Sequence, residues 1–382
     1  MSLARLKIRP DTIKPLQNGH PWIFQTGVEQ RLPAGTPVLL CTPKGKSIGF
    51  GLAEHGPIAV RVLGKNPDKV PDLLRRRIHL AADVRKRLLT NNTNAFRLIN
   101  GPGDGLPGLV VDIYDDLAIV RLYGKCWERH LDGILDALES VEYIRNIYRR
   151  FGVRNVDGKT GGEVLSGREP TDEKIIVEND LRFLVRPKTG QKTGFFLDQR
   201  ENRAFIGKRS ANLRVANLFS YTGGFSVYAA AGGAKHVVSV DIAPQAIADA
   251  KENFKLNDLS VSEHDFQVAD AFHWKTKQNL DFLICDPPSL SHSKKSDNNA
   301  FNAYKDLAFQ NGKQLSKGGL LATASCTARL TRKSWEKAVT EGIRKTGGWS
   351  WLWHASDPPD HPVSVVHPEG RYLKFSMLYR MR

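Results

Sequence analysis

Beyond residue 180 the chain alternates short apolar runs with stretches whose apolar residues recur every three or four positions. Residues 213–219 read as a strand, followed by a glycine turn and a helix over 224–231. A strand at 236–240 leads into a helix with Pro244 in its first turn, where its missing N–H costs nothing. A strand at 280–285, a helix at 301–315 and a strand at 319–324 complete the series. This alternation predicts an α/β fold: a parallel sheet with helices on both faces and ligands at the carboxyl ends of its strands.

The first half has a different rhythm. Within residues 1–70 the apolar runs 37–41 and 58–63 are separated by the turn Thr42-Pro43-Lys44-Gly45, which predicts a small all-β module. From 72 to 90 the spacing of Leu74, Ile78, Ala81, Val84 and Leu88 is helical. Arg75, Arg76, Arg77, Arg85, Lys86 and Arg87 fill the remaining positions, so a basic amphipathic connector with a solvated charged face is expected. Asp72 is placed to cap its start and Asn91-Asn92 to end it. Runs at 96–99, 109–113 and 117–123 predict a hairpin-rich sheet, joined by a helix over 128–138 into an α+β unit. Residues 154–174, polar and glycine-rich, read as a loop or linker. The expected domains are 1–70, 71–180 and 181–382.

The 382 residues suit two or three domains of roughly 150 residues each. An apolar fraction of 41% with 25% charged residues excludes disorder, collagen and a membrane bundle. The first ten residues carry three basic side chains and no apolar run, so no secretion leader is expected. No stretch reaches the roughly 18 apolar residues that span a bilayer, and a cytoplasmic protein is expected. Cys41, Cys126, Cys285 and Cys326 form neither a CxxC pair nor a cluster with histidine, so neither zinc nor a disulfide framework is expected. The charge of +16 points to a polyanionic partner, with nucleic acid ahead of a merely solvated surface. The excess begins early: residues 1–75 hold 11 basic and 5 acidic side chains.

Candidate chemistry gathers at the predicted strand ends. The segment Asn217-Leu218-Phe219-Ser220-Tyr221-Thr222-Gly223-Gly224-Phe225 follows the first strand and opens a helix. Its glycines permit a tight turn and close backbone approach to a ligand. Asp241, ending the second strand, is placed to accept hydrogen bonds from ribose hydroxyls, with Ile242 next to it. The loop lacks GxGxxG and a pyrophosphate cradle, which favours an adenosine ligand without phosphates, such as S-adenosylmethionine. Asp270-Ala271 follows the third strand, where an adenine would lie. Asp286-Pro287-Pro288 ends the fourth strand as a carboxylate beside two conformationally fixed residues. Residues 289–299 form a polar, partly basic loop that could close over RNA. Cys326 is expected at the end of the fifth strand, facing the cleft, with Arg329 and Arg332 close enough to favour a thiolate. Cys285 faces away from Asp286 and reads as core.

These segments resemble the bacterial large-subunit ribosomal RNA cytosine-5 methyltransferases that carry an N-terminal PUA domain. The likeness runs nearly end to end. It includes Arg5-Leu6, Gly19-His20-Pro21-Trp22-Ile23-Phe24, Gly103-Asp104-Gly105-Leu106-Pro107-Gly108-Leu109 and the stretch from Gln191 to Arg200. The loop at 219–225, Val238-Ser239-Val240-Asp241, Asp286-Pro287-Pro288 and Ser325-Cys326 continue it. Asp360-His361-Pro362 and Pro368-Glu369-Gly370-Arg371-Tyr372-Leu373-Lys374 close it.

The resemblance implies a PUA-like barrel, a central α+β domain and a class I methyltransferase, Rossmann-like sheet. It implies S-adenosylmethionine as donor and large-subunit ribosomal RNA as substrate. The donor would be held by Ser220, Tyr221, Thr222, Gly223, Asp241, Ile242, Asp270, Ala271, Asp286 and Arg200. Cys326 would be the nucleophile, and Asp286 would bind the cytosine edge. Ser289 departs from the family, and the loop 289–295 is closer to related guanine-methylating enzymes. A guanine N-methyltransferase and a non-catalytic ribosome-assembly factor are the alternatives. Trp349, Trp351 and Trp353 alternate along a predicted strand, as either core packing or the interface of a homodimer.

Overall fold

The computed structural model describes residues 3–90, 92–153, 156–291 and 297–381. The chain divides into two compact units. The first comprises 1–178, 185–197 and 359–370; the second comprises 179–184, 198–358 and 371–382.

The first unit begins with β1 (Ala4–Lys7), α1 (Pro10–Gln17), β2 (Trp22–Phe24), β3 (Pro37–Cys41), β4 (Ser47–Ala53) and β5 (Ile58–Gly64). They form a five-stranded sheet in the order β1-β3-β4-β5-β2. Helix α1 interrupts a stretch whose pattern reads as all-β. Pro10 sits in its first turn and Leu16 is its one buried residue, so it carries almost no apolar periodicity to betray it.

Helix α2 (Val70–Leu88) corrects the sequence reading of its face. It starts two residues before the expected position, with Pro71 and Asp72 inside its first turn rather than Asp72 as cap. The expected stop at Asn91 lies outside the described residues. Leu74, Ile78 and Ala81 are buried as expected, but Val84 and Leu88 are 37% and 48% exposed. Arg85, expected in solvent, is 1% exposed in their place. Its guanidinium forms a fork on Asp104, at 2.6 and 2.7 Å, and donates to the carbonyls of Arg97 and Asp360. A buried charge is tolerated because every face of it is met by an acceptor.

Strands β6 (Ala95–Asn100), β7 (Leu109–Tyr114), β8 (Leu117–Leu122), β9 (Asn146–Arg150) and β10 (Gly162–Ser166) make a second five-stranded sheet. Helix α3 (Leu131–Glu139) packs against α2. Strand β10 lies within the stretch expected to be a linker. It is an edge strand whose Val164 is 41% exposed, so the apolar alternation that marks a half-buried strand is missing. One hydrophobic cluster joins Phe50, Leu52 and Leu63 of the first sheet to Leu74 and Ile78 of α2 and to Val111 and Val120 of the second sheet. The late segment 359–370 belongs to the same unit. Fully buried Asp360 accepts the Arg97 N–H at 2.9 Å, and the Pro362 carbonyl accepts from Asn100 Nδ2. Strands β11 (Lys174–Glu178) and β12 (Leu181–Val185) carry the chain onward.

The second unit contains α4 (Arg200–Gly207), β13 (Arg214–Leu218), α5 (Gly224–Ala231), β14 (His236–Asp241), α6 (Pro244–Lys255) and β15 (Asp265–Val268). It continues with β16 (Leu280–Cys285), α7 (Asp297–Lys313), β17 (Leu315–Ser325), α8 (Arg332–Ile343), β18 (Trp349–Ala355) and β19 (Lys374–Arg380). The seven strands run β15-β14-β13-β16-β17-β19-β18. Those from β15 to β17 pair in parallel, whereas β19 returns antiparallel to both β17 and β18. The order reverses between β13 and β16, the switch point where an open sheet of this kind leaves a crevice.

A register shift between Trp351 and Trp353 breaks the expected alternation of the tryptophans. Trp349 and Trp351 pack against the cluster containing α8, while Trp353 packs on the opposite cluster and stacks on Phe205 at 3.6 Å. Among the described residues, no helix is long and apolar enough to cross a membrane.

Candidate functional site

Register brings the candidate residues of the second unit to one end of the sheet. Leu218 is level with Val240 and with Cys285, so Phe219, Asp241 and Asp286 emerge together. Cys285 is level with Thr323, and Cys326 follows the last residue of β17.

The loop from Phe219 to Gly223 is held in an unusual backbone. Phe219, Tyr221 and Gly223 all have positive φ, at 58°, 47° and 76°. For a non-glycine residue this left-handed region costs about 1–2 kcal/mol, and such strain persists only where the surroundings impose it. The surroundings are visible. Asp241 Oδ2 accepts the Tyr221 N–H at 2.8 Å, and Oδ1 accepts the Ala243 N–H at 2.9 Å. The Ser220 N–H bonds the Val240 carbonyl, and Asn253 Nδ2 donates to the Thr222 carbonyl. At Gly223 a Cβ would lie 2.9 Å from that of Ala250, so both conformation and space require glycine.

Ser220 and Thr222 are buried, and their hydroxyl oxygens have no hydrogen-bond partner among the described residues. Buried hydroxyls normally find partners, so two orphans in a strained loop fit a polar ligand laid along it. Ile242, 70% exposed beside Asp241, offers an apolar surface at the rim. Asp270 accepts the Phe272 N–H and lies 2.7 Å from His273 Nδ1, which draws its carboxyl below the usual range. Ala271 is buried, and Phe272 meets Phe219 edge-on at 4.9 Å. This set suits an adenosine-type ligand with an amino-acid end: short polar groups, a carboxylate and flat apolar surfaces, with no cluster of cations.

Asp286 follows β16 and is half-buried. Its Oδ2 accepts from Gln199 Nε2 at 2.8 Å, and Gln199 Oε1 accepts from Asn202 Nδ2. Both amides are almost fully buried. Arg200, on the first turn of α4, is 2% exposed with its Nε directed at Glu201. Tyr372 donates to Asp198 Oδ2 at 2.6 Å. Gln199 and Asn202 escaped the sequence reading. Position alone marks them: Gln199 lies in the stretch from Gln191 to Arg200 that carries the resemblance, and Asn202 lies two residues beyond it.

Cys326 is partly exposed, whereas Cys41, Cys126 and Cys285 are buried. Burial pushes the Cys285 thiol up to about 12, the behaviour of an inert core cysteine. Burial pushes Tyr304 up, with Cys326 and Asp286 adding to it, and its hydroxyl lies 3.0 Å from Thr327 Oγ1. Arg332 is committed to the Ala355 carbonyl and to Glu336, and Arg329 lies at the surface. Of the loop expected to close over RNA, residues 292–296 lie outside the described residues.

A family described as S-adenosylmethionine-dependent methyltransferases matches residues 147–362, and a PUA-like domain family matches residues 6–65. A large-subunit ribosomal RNA methyltransferase from Deinococcus radiodurans is 34% identical, covering 98% of this chain and 97% of its own. A ribosomal RNA large subunit methyltransferase I from Alteromonas mediterranea is also 34% identical, covering 97% of each chain. Among solved structures, a Streptococcus mutans protein assigned provisionally as such a methyltransferase matches with a TM-score of 0.86. It is 26% identical, over 99% of this chain and all of that one. A second, crystallised with S-adenosylhomocysteine, matches at 0.88 and 25% identity over the same shares.

Proposed function

The chain belongs to the S-adenosylmethionine-dependent methyltransferases, with a PUA-like amino-terminal domain, and from that premise we propose that it methylates carbon 5 of a cytosine in large-subunit ribosomal RNA. The names of its relatives support the RNA. One observation carries the choice of base and chemistry: of the four cysteines Cys326 alone is not buried, and like Asp286 it directly follows its strand at the carboxyl end of the sheet. Methylation of a guanine nitrogen needs no thiol there.

The donor supplies an electrophilic methyl on a sulfonium sulfur. Ser220, Thr222 and the strained backbone of the loop orient it, and Asp241 fixes that loop. Carbon 5 of cytosine is a poor nucleophile. Addition of the Cys326 thiolate to carbon 6 forms an S–C bond and moves the ring electrons to carbon 5, splitting one hard step into two easier ones. Asp286, aimed by Gln199 and carrying a proton, shares that proton with ring nitrogen 3 as negative charge develops there and takes it back as the electrons move on to carbon 5. Carbon 5 takes the methyl, the donor's carbon–sulfur bond breaks, the carbon 5 proton passes to a water or a carboxylate, and Cys326 leaves. To reach this end of the sheet the base must be out of its stack. The basic surface would hold the surrounding RNA by shape and phosphate contacts.

The test is transfer of labelled methyl to ribosomal RNA lacking the modification, followed by nucleoside chromatography, with Cys326→Ala alongside. Label in 5-methylcytidine that vanishes in the variant is the expected result. Label in a guanosine derivative, or full turnover by Cys326→Ala, would retire the thiol mechanism.

A further inference from the structure

The last strand brings a buried amine to the cysteine. Strand β19 runs antiparallel to β17, with Lys374 opposite Ser325. Its Nζ donates to the Thr327 carbonyl at 3.0 Å and to the Tyr372 carbonyl at 2.8 Å. The side chain therefore starts level with the residue before Cys326 and its amine is anchored on the carbonyl of the residue after it, which holds the amine next to the backbone at Cys326. Lys374 is 4% exposed, and neither acceptor is a carboxylate.

A lysine so placed has an exact donor count in two states. A neutral amine has two N–H groups, one for each carbonyl, and a free lone pair. An ammonium has a third N–H and no lone pair. The two states differ only on the side not turned to the carbonyls. Burial lowers Lys374 to about 8, with Arg332 acting in the same direction and Cys326 and Asp357 opposing. Tyr304, on which Cys326 and Asp286 both act, is a further titratable group on this side among the described residues.

We propose that Lys374 ionises Cys326: the S–H bond breaks, its proton moves to Nζ, and the resulting ammonium holds the thiolate beside it until carbon 6 is attacked. Its catalytic meaning rests on the nucleophilic reading of Cys326; the coupling itself does not. On release of the product the thiolate recovers its proton from the same nitrogen or stays paired with it.

The experiment is carboxamidomethylation of the full chain by iodoacetamide across pH 5.5–10, with Cys326 followed by mass spectrometry (pH range of about four units around the ordinary thiol value). Wild type should react with a midpoint below the ordinary cysteine value of about 8.5. Lys374→Met should raise that midpoint by about one unit and slow alkylation near pH 7 about tenfold, whereas Lys374→Arg, which keeps the charge, should not. Superimposable profiles for wild type and Lys374→Met would overturn the proposal. If Lys374→Met does not fold, the wild-type profile decides, because a midpoint at or above the ordinary value refutes the pairing. Methyl transfer by Cys326→Ala is the separate control. Turnover that survives there removes the covalent mechanism and leaves the Lys374–Cys326 coupling, read by alkylation, standing.

Discussion

Replacing Gln199 by leucine separates the aim of Asp286 from the stability of the fold. The substitution keeps roughly the same bulk and deletes both ends of the amide. Toward Asp286 it removes a 2.8 Å bond to a carboxylate, and a hydrogen bond to a charged group contributes about 1.5–3 kcal/mol. Because Asp286 is half-exposed, water can replace much of that in the resting protein. The loss is therefore expected in the transition state, where the carboxylate's direction matters. At 1.36 kcal/mol per decade it corresponds to a drop of about 10- to 150-fold in kcat/KM.

Toward Asn202, 1% exposed, no water is available, and an orphaned buried amide costs about 1–3 kcal/mol of folding stability. The two effects part company in a double variant. Gln199→Leu with Asn202→Leu removes the orphan and should recover most of the stability, read by urea unfolding, while methyl transfer to RNA stays low. If turnover returns together with stability, the amide chain is only packing and the role given to Gln199 is wrong. A single variant within twofold of wild type in kcat/KM would refute it equally.

Arg85→Met breaks a buried fork and leaves Asp104 charged without its partner, so unfolding should be easier by about 3–5 kcal/mol. Adding Asp104→Leu should restore a large part, and a second substitution that makes matters worse would contradict this account of α2. Gly223→Ala meets both a positive φ and the Ala250 Cβ at 2.9 Å, so it should cost about 1–3 kcal/mol and weaken S-adenosylhomocysteine binding; unchanged calorimetry would show that the loop needs neither. Lys374, lowered by burial to about 8 from an ordinary 10.5, binds its proton less tightly folded than unfolded. Between those values the unfolded chain carries the extra proton, so this residue's contribution to stability rises as the pH rises through that window. The difference in unfolding free energy between wild type and Lys374→Met should slope upward there, and a flat difference would be inconsistent with a buried amine.

The parallel sheet was legible because strand and helix have different periods. The helix Gly224–Ala231 and the strand Leu280–Cys285 lie where the apolar runs put them. Legibility failed where a polar residue took an apolar position. Arg85 occupies the buried stripe of α2 because Asp104 and two distant carbonyls receive it, and no local pattern announces partners 19 and 275 residues away. It failed again where local backbone overrode composition. The glycines of the loop at 219–225 suggested where the chain turns, yet Phe219 and Tyr221 adopt left-handed backbone as well, in a loop whose N–H groups donate to Asp241 and to the Val240 carbonyl. Lys374 could not be placed opposite Ser325 and on the Thr327 carbonyl from sequence, because a strand's neighbour in a sheet depends on how the last strand returns. The tryptophan alternation misled for a related reason: a single register shift sends Trp353 to the opposite face.

The interleaving of the two units has a consequence for the order in which they can be completed. The first unit draws its final piece, residues 359–370, from beyond nearly all of the second unit. During synthesis from the amino terminus, the unit made first must wait for the chain around Asp360. Until then the backbone N–H of Arg97 lacks its acceptor, and the Arg85 guanidinium lacks one of its carbonyls. The second unit in turn closes only when β19 follows. Each half is therefore completed only by segments made after residue 358, and neither half is a continuous module.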